Sequence, residues 1–219
     1  MTKPLVLINF KTYKEAYGDK ALELARKIAK VKKTKYDLAI APSLLTIKEV
    51  AQKTNLTIFS QHTDHINLGA NTGRIPIDEL KSFGVKGTIL NHSERKIPLK
   101  FLKEIVQRCK NKKLITGGCA STISEIKKVA LFHPNYIAYE PKEFIGGNIS
   151  VTEAKPEIIV RAVETVKYLS PKTKVLCGAG IHSKEDLGHA LLLGTEGVLI
   201  GHAVPKAKDP KKFLEEMLI

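Results

Sequence analysis

Residues 174–201 read KVLCGAGIHSKEDLGHALLLGTEGVLIG, a segment in which two short apolar runs flank one helical pattern. The runs Lys174–Cys177 and Gly197–Ile200 have the length and apolar content of buried parallel strands. Between them stands Ser183, with Asp186 three residues later, and this spacing is typical of a helix N-terminus closed by a capping box. A strand, a helix and a second strand in this order predict a parallel βαβ unit.

The same alternation extends outward over the whole chain. Further strands are predicted at Leu5–Phe10, Tyr36–Ala41, Leu56–Gln61, Lys86–Leu90, Leu114–Thr116 and Tyr136–Tyr139. Helices are predicted at Asp19–Val31, Ser43–Lys53, from Ile77, and at Leu99–Cys109, Ser121–Leu131, Glu153–Leu169, Lys184–Leu193 and after Asp209-Pro210. Eight such units without an intervening linker predict one α/β domain over residues 1–219. The favoured architecture is a (β/α)8 TIM barrel, compact beside the usual length of about 250 residues, and a doubly wound open sheet is the alternative.

Composition limits the class of protein. The chain has 219 residues, 43% of them apolar, which is enough for a packed core. No run of 18 apolar residues occurs, and the N-terminal residues enter a strand directly, so neither a membrane span nor a signal peptide is expected. The three cysteines, Cys109, Cys119 and Cys177, are odd in number and widely spaced. This pattern predicts a reducing compartment, the cytoplasm, rather than a disulfide framework.

The chain is strongly basic, with 36 Lys and Arg against 22 Asp and Glu and a net charge of +14. Three interpretations stay open: a solvated lysine-rich surface, attraction of anionic ligands, and binding of nucleic acid. The basic clusters fall at predicted helix ends, where cations complement the helix dipole, and they lack interleaved aromatic residues. A nucleic-acid partner is therefore not expected.

Five strands end on short pieces that carry polar side chains or glycines, and the carboxyl ends of the strands are where α/β barrels hold their active sites. The pieces are Asn9-Phe10-Lys11, Asn91-His92-Ser93-Glu94-Arg95, Ala138-Tyr139-Glu140-Pro141, Cys177-Gly178-Ala179-Gly180-Ile181 and Ile200-Gly201-His202.

Three of these residues are candidates for acid–base chemistry. Glu140 precedes Pro141, which disfavours the helical region, so Glu140 is expected to be extended at the rim and to point into the mouth. His92 is expected beside the N-terminus of a short helical turn, where a positive dipole favours a neutral imidazole able to donate a hydrogen bond. Lys11 needs an anionic neighbour, either Glu94 or a substrate phosphate.

Other candidates point to binding or to packing. The turns at Gly178-Ala179-Gly180 and Gly201-His202 follow the seventh and eighth strands, where small residues let backbone N–H groups approach a phosphate. His62 and His65 lack a third ligand, so no metal site is expected. Cys119 and Cys177 are interpreted as residues that fill space.

At these residues the chain resembles the triosephosphate isomerase family, most of all its short archaeal form. The Asn-x-Lys, His-Ser-Glu-Arg and Tyr-Glu-Pro pieces occur in the family's order, and the eight-unit plan extends the resemblance over the whole chain. The Cys-Gly-Ala-Gly-Ile turn and Ala207 to Pro210 are similar to archaeal members. The implied reaction interconverts dihydroxyacetone phosphate and D-glyceraldehyde 3-phosphate through an enediolate, a step of glycolysis and gluconeogenesis, without a metal or organic cofactor.

The resemblance also implies roles. Glu140 is the base, neutral His92 the electrophile, and Lys11, aided by Asn9 and oriented by Glu94, offsets negative charge. Residues 141–148 are implied to form a lid that brings Ile145 and Gly146 onto the phosphate, which Gly180, Gly201 and His202 also contact. A homo-oligomer, dimer or tetramer, is implied through the loop from Gln61 to Arg74.

Two departures from the family pattern are visible. Residues 145–148 read IGGN where the family has Ile-Gly-Thr-Gly, and His202 occupies a position that is small in archaeal members. Backbone donation by His202 therefore requires its side chain to point away. The alternatives are another phosphate-binding barrel enzyme, such as a sugar-phosphate epimerase, or a non-catalytic barrel that binds anions or nucleic acid.

Overall fold

The computed structural model describes residues 3–32, 35–144 and 150–219. In these residues eight parallel strands pair in chain order and close into a barrel, so the predicted TIM barrel is confirmed over the open sheet. The strands are β1 Leu5–Asn9, β2 Asp37–Ala41, β3 Thr57–Ser60, β4 Gly87–Leu90, β5 Ile115–Ala120, β6 Tyr136–Tyr139, β7 Lys174–Cys177 and β8 Gly197–Ile200. The helices are α1 Asp19–Ala29, α2 Ile47–Lys53, α3 Ile77–Ser82, α4 Leu99–Asn111, α5 Ile123–Ala130, α6 Val151–Ala154, α7 Pro156–Leu169, α8 Lys184–Leu192 and α9 Pro210–Leu218.

Some predicted boundaries are wrong. β5 continues through Gly117 and Gly118 to Ala120, because these glycines pair with β6 although glycine disfavours strands on its own. The single predicted helix over Glu153–Leu169 is two helices, α6 and α7, which meet at Lys155 and Pro156. Lys155 has φ −147° and ψ 62°, outside the helical region that a following proline disfavours.

Alternation of side chains along each strand separates two apolar layers. Positions on one face fill the barrel interior, and positions on the other pack against the helices. The interior cluster contains Leu5, Leu7, Ala39, Ala41, Phe59, Ile89, Cys119, Ala138, Leu176 and Leu199. The larger outer cluster joins the strands to the amphipathic faces of the helices.

The same alternation, continued past the last paired residue, directs polar groups into the mouth of the barrel. Leu5 and Leu7 face the interior, so Asn9, two residues further, does too. Tyr136 and Ala138 lead in the same way to Glu140. Counting two residues on from the last interior residue of β3, β4, β7 and β8 gives Gln61, Asn91, Gly178 and Gly201 as the inward-facing positions at the mouth of the barrel.

Gly197 closes the barrel where β8 meets β1. It pairs with Leu5 and has φ 145°, a conformation that side chains rarely adopt. A Cβ atom here would lie 2.0 Å from the carbonyl oxygen of Leu5, so a backbone atom would have to move. The seam between the first and last strands therefore depends on a residue without a side chain.

We expect Gly197→Ala to lower the free energy of unfolding by about 3 kcal/mol or more, because backbone strain and overpacking add at one site. Urea unfolding followed by circular dichroism measures the loss. Gly188→Ala in α8 is the matched control, since its Cβ would meet nothing within 4 Å. The control should stabilise the protein by up to about 1 kcal/mol. A Gly197 variant as stable as the control would contradict the role of the seam.

Candidate active site

A polar cavity opens at the carboxyl ends of the strands. It brings together residues from β1, β4, β6, β7 and β8 that are far apart in the sequence. Its lining consists of Asn9, Lys11, His92, Glu140, residues 178–182 and residues 199–203. Every sequence-predicted site residue within the described residues lines this cavity, except Glu94, which contacts it through Lys11.

Glu140 and His92 form a buried pair in this cavity. Nε2 of His92 lies 3.1 Å from Oε1 of Glu140, and the two residues are 7% and 2% exposed. Glu140 is thus enclosed, whereas the sequence predicted it at the rim. Its other oxygen, Oε2, is buried and has no hydrogen-bond partner among the described residues. A buried carboxylate oxygen without a donor is available to accept a proton.

Gly178 makes room for Glu140. A Cβ atom at this position would lie 2.6 Å from Cγ of Glu140 and 3.0 Å from the carbonyl oxygen of Tyr139. The sequence had suggested that the glycine served the phosphate. In the structure its missing side chain also determines where the carboxylate can sit.

The orientation of His92 is set by the peptide that follows it. The backbone N–H of Glu94 donates to Nδ1 of His92 at 3.2 Å. A nitrogen that accepts a hydrogen bond carries no proton, so this arrangement favours the tautomer with its proton on Nε2, facing Glu140. The expected short turn is present: it is a single turn that closes from Arg95 N–H to the carbonyl of His92, and α4 begins only at Leu99. The N–H of Glu94 thus provides the positive partial charge beside the ring that the helix dipole was expected to provide.

Asn91 anchors that turn. Its backbone is left-handed, with φ 57°, which asparagine tolerates better than most residues. Its side-chain amide donates to the carbonyl of Cys119 and to Glu125, both at 2.9 Å, and its oxygen accepts from the backbone N–H of Ile97 at 3.0 Å. The sequence included Asn91 in the motif without giving it this task.

Lys11 is held at both its backbone and its side chain. It has a left-handed backbone, φ 47°, and its N–H donates to Oδ1 of Asn9 at 3.0 Å. Its carbonyl accepts from Nε2 of Gln61 at 3.0 Å, a contact that the sequence did not predict. Its ammonium lies 2.6 Å from Oε1 of Glu94, one of the two anionic neighbours that the sequence left open. The lysine side chain is 14% exposed and the glutamate side chain 57%, so the cation lies inside the mouth and its partner in solvent.

The two glycine-bearing turns lie side by side along the cavity. Gly180 is left-handed, with φ 66°, and Gly201 leaves its Cβ position 3.5 Å from Cε of Lys11. The side chain of Lys11 therefore passes directly over the turn that follows β8. The condition that His202 points away is not met. Its ring lies 5.3 Å, between centroids, from that of His182, another residue of the cavity wall.

The cysteines at the site act as packing residues. Burial raises the pKa of the Cys119 thiol well above its ordinary value, and the negative charge of Glu140 raises it further. Burial likewise raises the pKa of Cys177 to about 12. A thiol that stays protonated is a poor nucleophile, which agrees with the predicted space-filling role.

The remaining candidate residues, His62 and His65, do not line this cavity. Nε2 of His62 lies 3.3 Å from Asp64, and the ring of His65 stacks on Phe101 with centroids 3.8 Å apart. No cluster of three metal-binding side chains occurs within residues 3–32, 35–144 and 150–219. The predicted phosphate contacts Ile145 and Gly146 lie outside the described residues.

Comparison with known proteins identifies a single family. The sequence profile described as triosephosphate isomerase matches residues 4–217. The triosephosphate isomerase of Methanothermus fervidus is 39% identical over 219 residues, which cover 100% of this chain and 99% of the relative. The enzymes of that name from Methanocaldococcus jannaschii and Archaeoglobus fulgidus are 40% and 39% identical over 98% of this chain, covering 98% and 96% of their own lengths. The chain therefore belongs to the triosephosphate isomerase family.

Proposed function

We propose that this protein interconverts dihydroxyacetone phosphate and D-glyceraldehyde 3-phosphate, with Glu140 as the base. The observation that carries the proposal is the buried contact of 3.1 Å between Glu140 and His92, in a cavity that also holds Lys11. A carboxylate with one unpaired oxygen can remove a proton from carbon, and an imidazole N–H can stabilise the oxygen on which charge develops. The family relationship favours this reaction over a sugar-phosphate epimerase or a non-catalytic barrel.

The proton steps follow from these two side chains. Substrate enters between them, and the Nε2–H of His92 turns from Glu140 to the substrate carbonyl oxygen. Glu140 takes a proton from the carbon beside that carbonyl, which leaves an enediolate. The proton of the neighbouring hydroxyl passes to the former carbonyl oxygen, and the carboxylic acid returns its own proton to the neighbouring carbon, so the base is regenerated and no atom is gained or lost.

Lys11 and the glycine turns bind the charged parts of the substrate. The ammonium of Lys11, already paired with Glu94, offsets negative charge on the enediolate and the phosphate. Asn9 holds the peptide of Lys11 and adds a polar contact at the mouth. Backbone N–H groups at Gly180 and Gly201 are the proposed phosphate donors, and Ile145 and Gly146 are proposed as donors from the lid. This chemistry draws on side chains and peptides alone and requires no cofactor.

A coupled assay on the purified protein tests the reaction. Dihydroxyacetone phosphate should be converted to D-glyceraldehyde 3-phosphate, and the reverse reaction should approach the same equilibrium ratio. Conversion no faster than the uncatalysed reaction would contradict the proposal, and the cavity would then be interpreted as a binding site.

The cellular setting is proposed from the same features. All three cysteines are buried free thiols, which suits a reducing compartment, and we propose the cytoplasm. Among the described residues no helix is long and apolar enough to cross a membrane. The proposed partners are the phosphorylated triose and further copies of this chain, with no nucleic acid.

We propose that the chain forms a homo-oligomer through the loop after β3. The loop is ordered by its own contacts, since Asp64 accepts from the backbone N–H of Ile75 at 2.8 Å and Arg108 donates to the carbonyl of Ile66 at 2.8 Å. The order of this loop therefore does not require a partner. What supports an interface is Leu68, which presents an apolar side chain in a residue that is 68% exposed.

We expect sedimentation velocity at micromolar concentration to show a dimer or a tetramer. Leu68→Asp should shift the distribution toward the monomer, because a buried charge without a partner destabilises an interface. Leu131→Asp is the matched control, since Leu131 is 60% exposed on the segment after α5. A wild-type protein that sediments as an active monomer would refute the proposal.

A further inference from the structure

Two histidines outside the acid–base pair meet at the cavity. His182 follows β7 and His202 follows β8, and both line the cavity together with Lys11. Their ring centroids are 5.3 Å apart, with the planes inclined at 49°. Neither residue is needed for the proton steps proposed for Glu140 and His92.

The loop that carries His182 is held by hydrogen bonds to Asp186. The backbone N–H groups of His182 and Ser183 donate to Oδ2 of Asp186, at 2.8 and 3.0 Å, within the capping box of α8. The peptide N–H of His182 is thus already used. Its ring nitrogen Nε2, in contrast, is buried and has no hydrogen-bond partner among the described residues. Leaving a buried polar nitrogen unpaired is costly, so this atom is a candidate contact for something that enters the cavity.

The charges around His202 disfavour a proton on it in the free protein. Its pKa lies below the ordinary value because of burial first, and then because of His182, Lys206 and Lys11. Lys11 reaches over from β1, and Lys206 lies on the turn after β8, with its ammonium 4.9 Å from the centroid of the Tyr13 ring. The only other titratable groups lining the cavity, within the described residues, are His92 and Glu140. The cavity end beside His202 is thus rich in positive charge.

We propose that His182 and His202 form a proton-linked anion site, at which binding of a dianionic phosphate group is accompanied by uptake of one proton from solvent onto the histidine pair. The proposal rests on the proposed function for placing a phosphate at this end of the cavity. Two observations carry it: the pairing of the rings on the cavity wall, and the buried, unpartnered nitrogen of His182. The added proton gives an imidazole a donor for a phosphate oxygen and offsets part of the charge of the dianion.

Proton uptake on binding determines how the affinity for the dianion depends on pH. In the free protein burial, and then His182, Lys206 and Lys11, hold the pKa of His202 below its ordinary value. A bound dianion reverses the local field and raises the proton affinity of the pair. Affinity for the dianion therefore rises as the pH falls through the pKa of the complex, and levels off below the pKa of the free protein. Uptake of one proton gives a limiting slope of about tenfold per pH unit.

Sulfate is the suitable probe because it stays dianionic throughout, whereas a phosphate monoester itself titrates near pH 6. The starting protein for these measurements, called the parent, should be Glu140→Gln, which removes the carboxyl group of the cavity wall from the proton balance. In this parent we expect sulfate affinity, measured by calorimetry, to rise by about tenfold between about pH 8 and pH 6. Heats in two buffers of different ionisation enthalpy should show net proton uptake.

Substituting glutamine at both positions, His182→Gln with His202→Gln, should abolish most of the pH dependence and the proton uptake. His189→Gln on the exposed face of α8 is the matched control and should retain both. A pH-independent affinity in the parent would overturn the proposal. So would a double variant that binds more weakly but keeps the full pH dependence, because the titrating group would then lie elsewhere.

A measurement without histidine substitutions guards against misfolded variants. The ring ¹⁵N resonances of His182 and His202 in the Glu140→Gln parent should titrate at higher pH with saturating sulfate than without it. Unchanged titration of both rings at proven saturation would overturn the proposal. The isomerase assay on the wild-type protein is independent of these readouts, so failure of the reaction and failure of the proton linkage are distinguishable.

Discussion

Glu140→Gln should reduce kcat for isomerisation by at least about 10²- to 10⁴-fold, the range typical for loss of a general base. The amide has nearly the shape of the carboxylate but cannot take a proton from carbon. The fold should survive, because Gly178 leaves the same room for an isosteric side chain and the backbone N–H of residue 140 still donates to the carbonyl of Ala120. Steady-state kinetics in both directions measure the loss.

Sulfate binding distinguishes loss of the base from loss of the site. The Glu140 variant should still bind the anion, since Lys11 and the glycine turns are unchanged. Glu164→Gln, on the exposed face of α7, is the matched control and should keep full turnover. Near-native turnover in the Glu140 variant would rule out Glu140 as the base.

Lys11→Met should reduce kcat/KM by about 10²- to 10³-fold, comparable to removal of one electrostatic contact in an oxyanion site. The lysine side chain is 14% exposed, so its charge acts across a region that water screens poorly. Methionine keeps a similar length and the same left-handed backbone. Glu94 is left without its cation but is 57% exposed and stays solvated, so stability should change little.

The pattern of the loss identifies the role of Lys11. A higher KM and a lower kcat are both expected, because the ammonium is proposed to offset negative charge on the phosphate in the ground state and on the enediolate during reaction. Lys14→Met, three residues away and exposed, controls for the loss of one positive charge from the protein. A Lys11 variant within threefold of its Lys14 control would show that the cation has no part in the reaction.

The strand pattern made much of the site predictable. Alternation along β1 and β6 places Asn9 and Glu140 inside the mouth once the strands are known, and the apolar runs reveal the strands. An anionic neighbour for Lys11 was also expected, with Glu94 and a substrate phosphate as the two candidates, since a cation in an apolar segment requires an anion. Strands β6, β7 and β8 begin and end where the sequence predicts.

Contacts between distant segments were not predictable from local patterns. Gln61 reaches the carbonyl of Lys11 only because β3 and β1 enclose the same mouth. His182 and His202 lie on separate loops that barrel closure brings together. The N–H of Glu94 against the ring of His92 was likewise not predictable, because the sequence indicates a short turn but not which atom of the turn meets the imidazole.

The seam between β8 and β1 has a consequence for the growing polypeptide. Lys11 is made within the first dozen residues, whereas Gly201 and His202 come after nine-tenths of the chain. The cavity lacks one wall until Gly197 pairs with Leu5. A ribosome-bound chain that has not yet released its eighth strand therefore has no complete site. Activity appears only when the two ends of the chain have met, and an assay for it reports on closure of the entire molecule.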